Sequence, residues 1–97
     1  MNNMKNFDLY LTGAWSKYIV KFDTLAGECD QLFGEAALSK GTSSEAATRD
    51  RLICAKRQFA KTVQEFCQLI GETDGELEDK IIRLYANLHK GVHYVQR

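Results

Sequence analysis

Two histidines four residues apart, His89 and His93, are the residues of this chain whose type and spacing come nearest to metal chemistry. On a helix they share one face and can share a zinc ion, but a site needs at least a third protein ligand. The adjacent turn positions hold Tyr85 and Ala86, neither a carboxylate, and Gly91 between the histidines weakens the helix. A solvated or interface pair is the expectation, and a pair lining a binding surface would make binding depend on pH between about 5 and 8. Cys29, Cys54 and Cys67 are odd in number and form no C-x-x-C pair, so neither a disulfide framework nor a zinc ribbon is indicated. They read as small hydrophobes on or beside apolar faces.

Charge offers two further constellations. Arg49, Arg51, Lys56, Arg57 and Lys61 stand against only Glu45 and Asp50 in the first half of a predicted second helix. On a helical wheel they do not form one stripe, which a nucleic-acid reader would present. A solvated, salt-bridged face is one reading, and contact with an anion or acidic partner through Arg49, Lys56, Arg57 and Lys61 is the other. Lys56 falls between Phe59 and Val63 inside the apolar stripe, so it is expected to snorkel or to meet Asp23 or Asp30 across the bundle. Glu72, Asp74, Glu76, Glu78 and Asp79 mirror the basic run, and acids near a helix N-terminus favour its dipole. Lys40, Arg49, Arg51, Lys90 and Arg97 are expected near the opposite pole.

No nucleophile stands with a base, no paired carboxylates mark a cleft, and no Gly-rich phosphate loop follows a strand. An enzyme is not expected, and neither a cofactor nor a metal is implied. Thirteen basic residues balance thirteen acidic ones, so the excess positive charge that drives non-specific nucleic-acid binding is missing.

The elements that must position these residues are helices. With no proline among 97 residues, only seven glycines can interrupt them, which favours few, long elements. Leu11, Trp15, Tyr18, Phe22, Leu25, Cys29, Leu32 and Ala36 recur at alternating spacings of four and three, a heptad seam within a first helix expected over about 6–38 with Asn6 as its cap. Its aromatic bulk, with Phe7 and Phe33 added, calls for two partner helices. Gly41 and a Thr42-x-x-Glu45 capping box introduce a second helix, about 43–70, with the stripe Leu52, Ala55, Phe59, Val63, Phe66 and Ile70. Gly71 ends it, and Thr73 with Glu76 repeats the box before a third helix, about 74–95, carrying Leu77, Ile81, Leu84, Leu88 and Val95, widened by Ile82, Tyr85 and Val92.

The fold class that follows is all-α, a single antiparallel three-helix bundle over 1–97, with a four-helix variant if the first helix breaks near Gly27 or Gly34. Gly13, Val20, Gly27 and Gly34 repeat every seven residues on the back of that helix. They make either a shallow groove for a partner or second copy, or ordinary helix breaks, since each interior glycine costs about 1 kcal/mol. No apolar run reaches the roughly 20 residues of a membrane span and no signal-like start is visible, so a cytoplasmic chain is expected.

Size and class suggest a non-enzymatic protein-interaction module, an inhibitor or modulator docking a helical surface onto a larger protein of a bacterial or phage-targeted complex. The third helix is shorter than the seam, so the expected contact surface is Phe33, Ala37 and Leu38 with Tyr94 nearby, and the Gly13, Val20, Gly27 face second. The alternatives are a nucleic-acid-binding protein using the basic part of the second helix, and a self-assembling structural or chaperone-like subunit.

Overall fold

The computed structural model describes residues 2–93, with side chains described for residues 13–92. Among them there is no strand, and the helices are α1 (Asn2–Leu38), α2 (Glu45–Leu69), α3 (Glu76–Leu88) and a short α4 (Lys90–His93). The expected all-α bundle of three long helices is therefore present, with a fourth, single-turn helix added at its end. Asn6 lies inside α1 and does not cap it. Phe7, Leu11, Tyr94 and Val95 lie outside the residues whose side chains are described.

α1 runs 37 residues without a break, so the four-helix variant through Gly27 or Gly34 is overturned. The positive-φ glycines among the described residues are Gly41, Gly71 and Gly75, all in turns. Gly27 and Gly34 stay helical because the seam on the other side of α1 is packed along its length, and that burial outweighs about 1 kcal/mol per glycine. The bundle has no room for a break there, since Phe22, Ala26 and Cys29 are completely buried.

Pairings fix the directions. Trp15 meets Phe66, Phe22 meets Phe59, and Glu35 meets Arg51, so α2 runs antiparallel to α1. Asp23 meets Tyr85 and Asp30 meets His89, so α3 returns parallel to α1, and α4 follows it docked at Asp30. Phe22 is the hub of the core. Its ring packs against Trp15, Tyr18, Phe59, Phe66 and Tyr85 at centroid distances of 5.7, 6.0, 6.1, 5.8 and 5.9 Å. Four of these five contacts are edge-to-face, the arrangement that ring quadrupoles favour. The α2 stripe is buried as its spacing implies, from Leu52 to Ile70.

α3 departs from the expected register. Ile81, Ile82 and Tyr85 face the core, whereas Leu84 is 51% and Leu88 70% exposed. Tyr85 sets this rotation, because its hydroxyl donates to Asp23 Oδ1 at 2.7 Å while its ring lies 5.4 Å from that of Phe59. α3 also ends at Leu88, short of the expected 95, because His89 is extended at φ −132° and ψ 111°.

The turns keep half of their expected chemistry. Glu45 accepts from Gly41 N–H at 3.0 Å, one residue before the Thr42 amide a capping box would use. Thr42 Oγ1 instead donates to the Ser39 carbonyl and accepts from Ser44 N–H, which delays α2 to Glu45. Gly71 ends α2 in a Schellman motif, with Glu72 N–H on the Cys67 carbonyl and Gly71 N–H on that of Gln68. Asp74, not Thr73, takes the Glu76 amide, because Gly75 adopts φ +85° and moves the helix start on by two residues.

Candidate functional site

α3 and α4 lie in the groove between α1 and α2, and the sequence rows that line this groove continue past them. On α1 the row Asp23, Ala26, Asp30, Phe33, Ala37 advances by alternating threes and fours. On α2 the row Phe59, Lys56, Leu52, Arg49, Glu45 runs the other way. Asp23 and Asp30 are engaged by Tyr85 and His89. Beyond Asp30 the groove runs on to a hollow of about 260 Å³ lined by Phe33, Ala36, Ala37, Lys40, Glu45, Arg49 and Leu52.

This hollow has an apolar floor and a charged rim. Leu52 is buried, Phe33 and Ala36 are half-buried and Ala37 is exposed. Arg49 Nη2 pairs with Glu45 Oε2 at 2.9 Å, and Arg51 pairs with Glu35 at 3.6 Å. The Gly41 amide, followed by the neighbouring Arg49 and Lys40 charges, holds the Glu45 carboxyl below its usual range. The expected basic pole is thus largely offset by its own acids, while Lys90 sits on α4 and Arg97 lies outside the described residues.

The residues singled out from spacing separate in the structure. Phe33, Ala37 and Arg49 come together at the hollow, and Leu38 stands beside it 85% exposed. Tyr94 lies outside the described residues. Gly13, Val20 and Gly27 share an exposed face, Val20 being 64% exposed, and a Cβ added at either glycine would meet nothing within 4 Å. Among the described residues no element packs closely there. Val20 also lines a second hollow of about 380 Å³, on the α1–α2 edge with Leu25 and Thr62. Arg57 and Lys61 are exposed on the outer side of α2.

Lys56 is half-buried, and that burial lowers the pKa of its ammonium, with Cys29 acting the other way. Of the two acids across the bundle, Asp23 accepts from Tyr85 and Asp30 is held at α4. Of the cysteines, Cys29 and Cys67 are buried as expected, but Cys54 is exposed. It occupies the far side of α2, off the Leu52–Ala55–Phe59 stripe.

Sequence reasoning missed the clasp at Asp30. Its Oδ2 lies 2.6 Å from His89 Nδ1 and its Oδ1 accepts the Gly91 amide at 2.9 Å, so an α1 side chain caps α4. The His89 ring stacks on Tyr85 at 5.8 Å. His89 is therefore tied into the bundle rather than freely solvated, while the side chain of His93 is outside the described set. Among the described residues no group of three metal-ligating side chains forms, and no helix is long and apolar enough to cross a membrane. Comparison with family models, curated proteins and solved structures finds no match.

Proposed function

We propose that this chain is a non-enzymatic protein-interaction module that docks onto a larger protein through the open end of the α1–α2 hairpin. The observation that supports this reading is the hollow itself, with its apolar floor and charged rim. The lining offered to a partner is largely apolar, with Phe33, Ala36 and Ala37 in the hollow and Leu38 exposed beside them. A partner side chain entering the hollow buries that surface at about 25 cal/mol per Å² of apolar area. Lys40 and the Arg49–Glu45 pair would then form a polar rim, which sets orientation more than affinity.

The test is Phe33→Asp with affinity capture from the native host. The variant is expected to lose the captured protein while keeping its helical circular dichroism and cooperative melt. Capture unchanged by the substitution would refute the docking surface. If the variant unfolds, Ala37→Asp at the exposed rim of the same hollow gives the answer with less strain on the core.

A further inference from the structure

We propose that the outward side of α1 is a self-complementary surface on which a second copy of this chain docks in the opposite direction, as a weak, reversible dimer. Lys17, Lys21, Thr24, Glu28 and Gln31 follow one another there at alternating fours and threes, and all of them are exposed. The row is basic before Thr24 and acidic after it. None of its charges has an opposite charge three or four residues away on α1, and Lys17 with Lys21 is a like-charge pair of the kind that weakens an isolated helix. Lys21 Nζ rests 4.7 Å from the centre of the Tyr18 ring, and among the described residues no ion pair engages Lys17 or Glu28.

A second copy supplies what the helix does not. A twofold axis crossing α1 between Phe22 and Asp23 sets Lys17 opposite Glu28 of the second copy and Lys21 opposite its Thr24, and the symmetry makes each contact twice. Copies lying in the same direction would instead bring Lys17 to Lys17 and Glu28 to Glu28, so charge selects the antiparallel pair. The same axis passes the hollow of about 380 Å³, whose α1 lining, Val20, Lys21, Thr24 and Leu25, lies evenly about that point. Val20 is 64% exposed there, and Gln58 and Thr62 extend the surface onto α2. The row is about 20 Å long at 1.5 Å per residue, and with one edge of α2 it makes a small interface, below about 1,200 Å² in total, where associations are weak. Phe33 comes nine residues after Thr24 and so lies half a turn away around α1, which leaves the hollow at the hairpin end open in both copies.

The experiment is sedimentation equilibrium of the full chain from about 10 μM to about 1 mM, the range of weak association. A concentration-dependent monomer–dimer equilibrium is expected, weaker in about 0.5 M salt. Lys17→Glu and Glu28→Lys should each weaken it about tenfold, because either reversal sets like charges together twice across the axis. The double variant Lys17→Glu/Glu28→Lys re-forms both pairs with their signs exchanged and should recover the native constant. Circular dichroism checks that the variants stay helical, and Lys17→Glu puts an acid four residues before Lys21, which favours α1 itself. A monomer throughout the range overturns the proposal. So does a dimer that the single reversals leave unchanged, or one that the double reversal fails to restore. Phe33→Asp, on the other side of α1, should leave the dimer intact, so this result and the capture result fail independently.

Discussion

Gly91 lies so close to the backbone of Cys29 that a Cβ on it would sit 2.2 Å from the Cys29 carbonyl carbon and oxygen, and 2.6 Å from the Asp30 nitrogen. Backbone thus meets backbone at the point where α4 docks on α1, and only glycine fits. The contact belongs to a clasp: Asp30 holds the Gly91 amide and the His89 ring, and Val92 beside them is 1% exposed.

Gly91→Ala should therefore undock α4. No flexible side-chain tip can move aside, so the effect is expected at or above the roughly 1 to 3 kcal/mol typical of overpacking. Gly27→Ala is the matched control, because its Cβ meets nothing within 4 Å on a helical, exposed site. It should stabilise by about 0.5 to 1 kcal/mol. Urea unfolding of the two variants checks both signs, and equal effects would refute the close approach.

Asp30→Ala removes both acceptors of the clasp. The Gly91 amide and the His89 ring lose their partner together, and a lost cap alone costs about 0.5 to 2 kcal/mol. Hydrogen exchange at Gly91 and Val92 should accelerate well before exchange in the middle of α2. Asp30→Asn keeps one oxygen for the Gly91 amide and should fall between the native chain and Asp30→Ala. An Asn variant as loose as the Ala variant would show that the His89 contact, not the cap, dominates.

The bundle was legible from the chain because four-three spacing on α1 and α2 is burial written in sequence, and from Trp15 to Ala36 on α1 and from Leu52 to Ile70 on α2 each stripe residue is in the core or at its edge. α3 was not legible in the same way. Leu77, Ile81, Leu84 and Leu88 satisfy the spacing and Ile82 and Tyr85 widen it, yet only the Ile81, Ile82, Tyr85 side is buried while Leu84 and Leu88 face solvent. Hydrophobicity alone cannot rank those two faces, and the Tyr85–Asp23 bond that decides between them joins residues 62 positions apart. The break at His89 escaped notice for the same reason, since its cap comes from α1. A glycine inside an apolar-periodic stretch was the available signal, and at Gly91 it marked a close approach, whereas at Gly13 and Gly27 it marks open solvent. The hollow was half visible: a third helix shorter than the seam implied an uncovered Phe33, but Lys40 and Glu45 entered it only through the turn geometry.

Phe22→Ala empties the centre of the aromatic cluster. Five rings lose a neighbour at a site that is 0% exposed, and the expected loss is about 3 to 5 kcal/mol. Leu88→Ala truncates a side chain mostly in solvent and should change stability by no more than about 0.5 kcal/mol. The ordering is the informative result, because the heptad spacing of α3 read by itself would make Leu88 a core residue too. A large loss at Leu88 in chemical denaturation would restore that register.

The cysteines should separate by reactivity. Burial pushes the Cys29 thiol up to about 11, Asp30 and Glu28 adding to the shift and Lys56 opposing it. Cys67 is raised by burial too, with Glu78 the foremost of the acids that add to it, while Cys54 is exposed. At pH 8 a thiol reagent should therefore modify one cysteine per chain quickly and the other two only as the chain unfolds, since the thiolate is the reacting form. The same shift has a sign in stability. A thiol whose folded pKa lies above its unfolded value of about 8.5 keeps its proton longer in the fold, so its contribution is intact below that value and is lost as pH rises toward about 11. Tyr85, raised by burial and by its bond to Asp23, acts in the same direction at still higher pH. Stability measured by urea unfolding should hold to about pH 8 and then fall, and Cys29→Ala should flatten the fall between about 9 and 11. An alkaline limb unchanged in that variant would place the titrating group elsewhere.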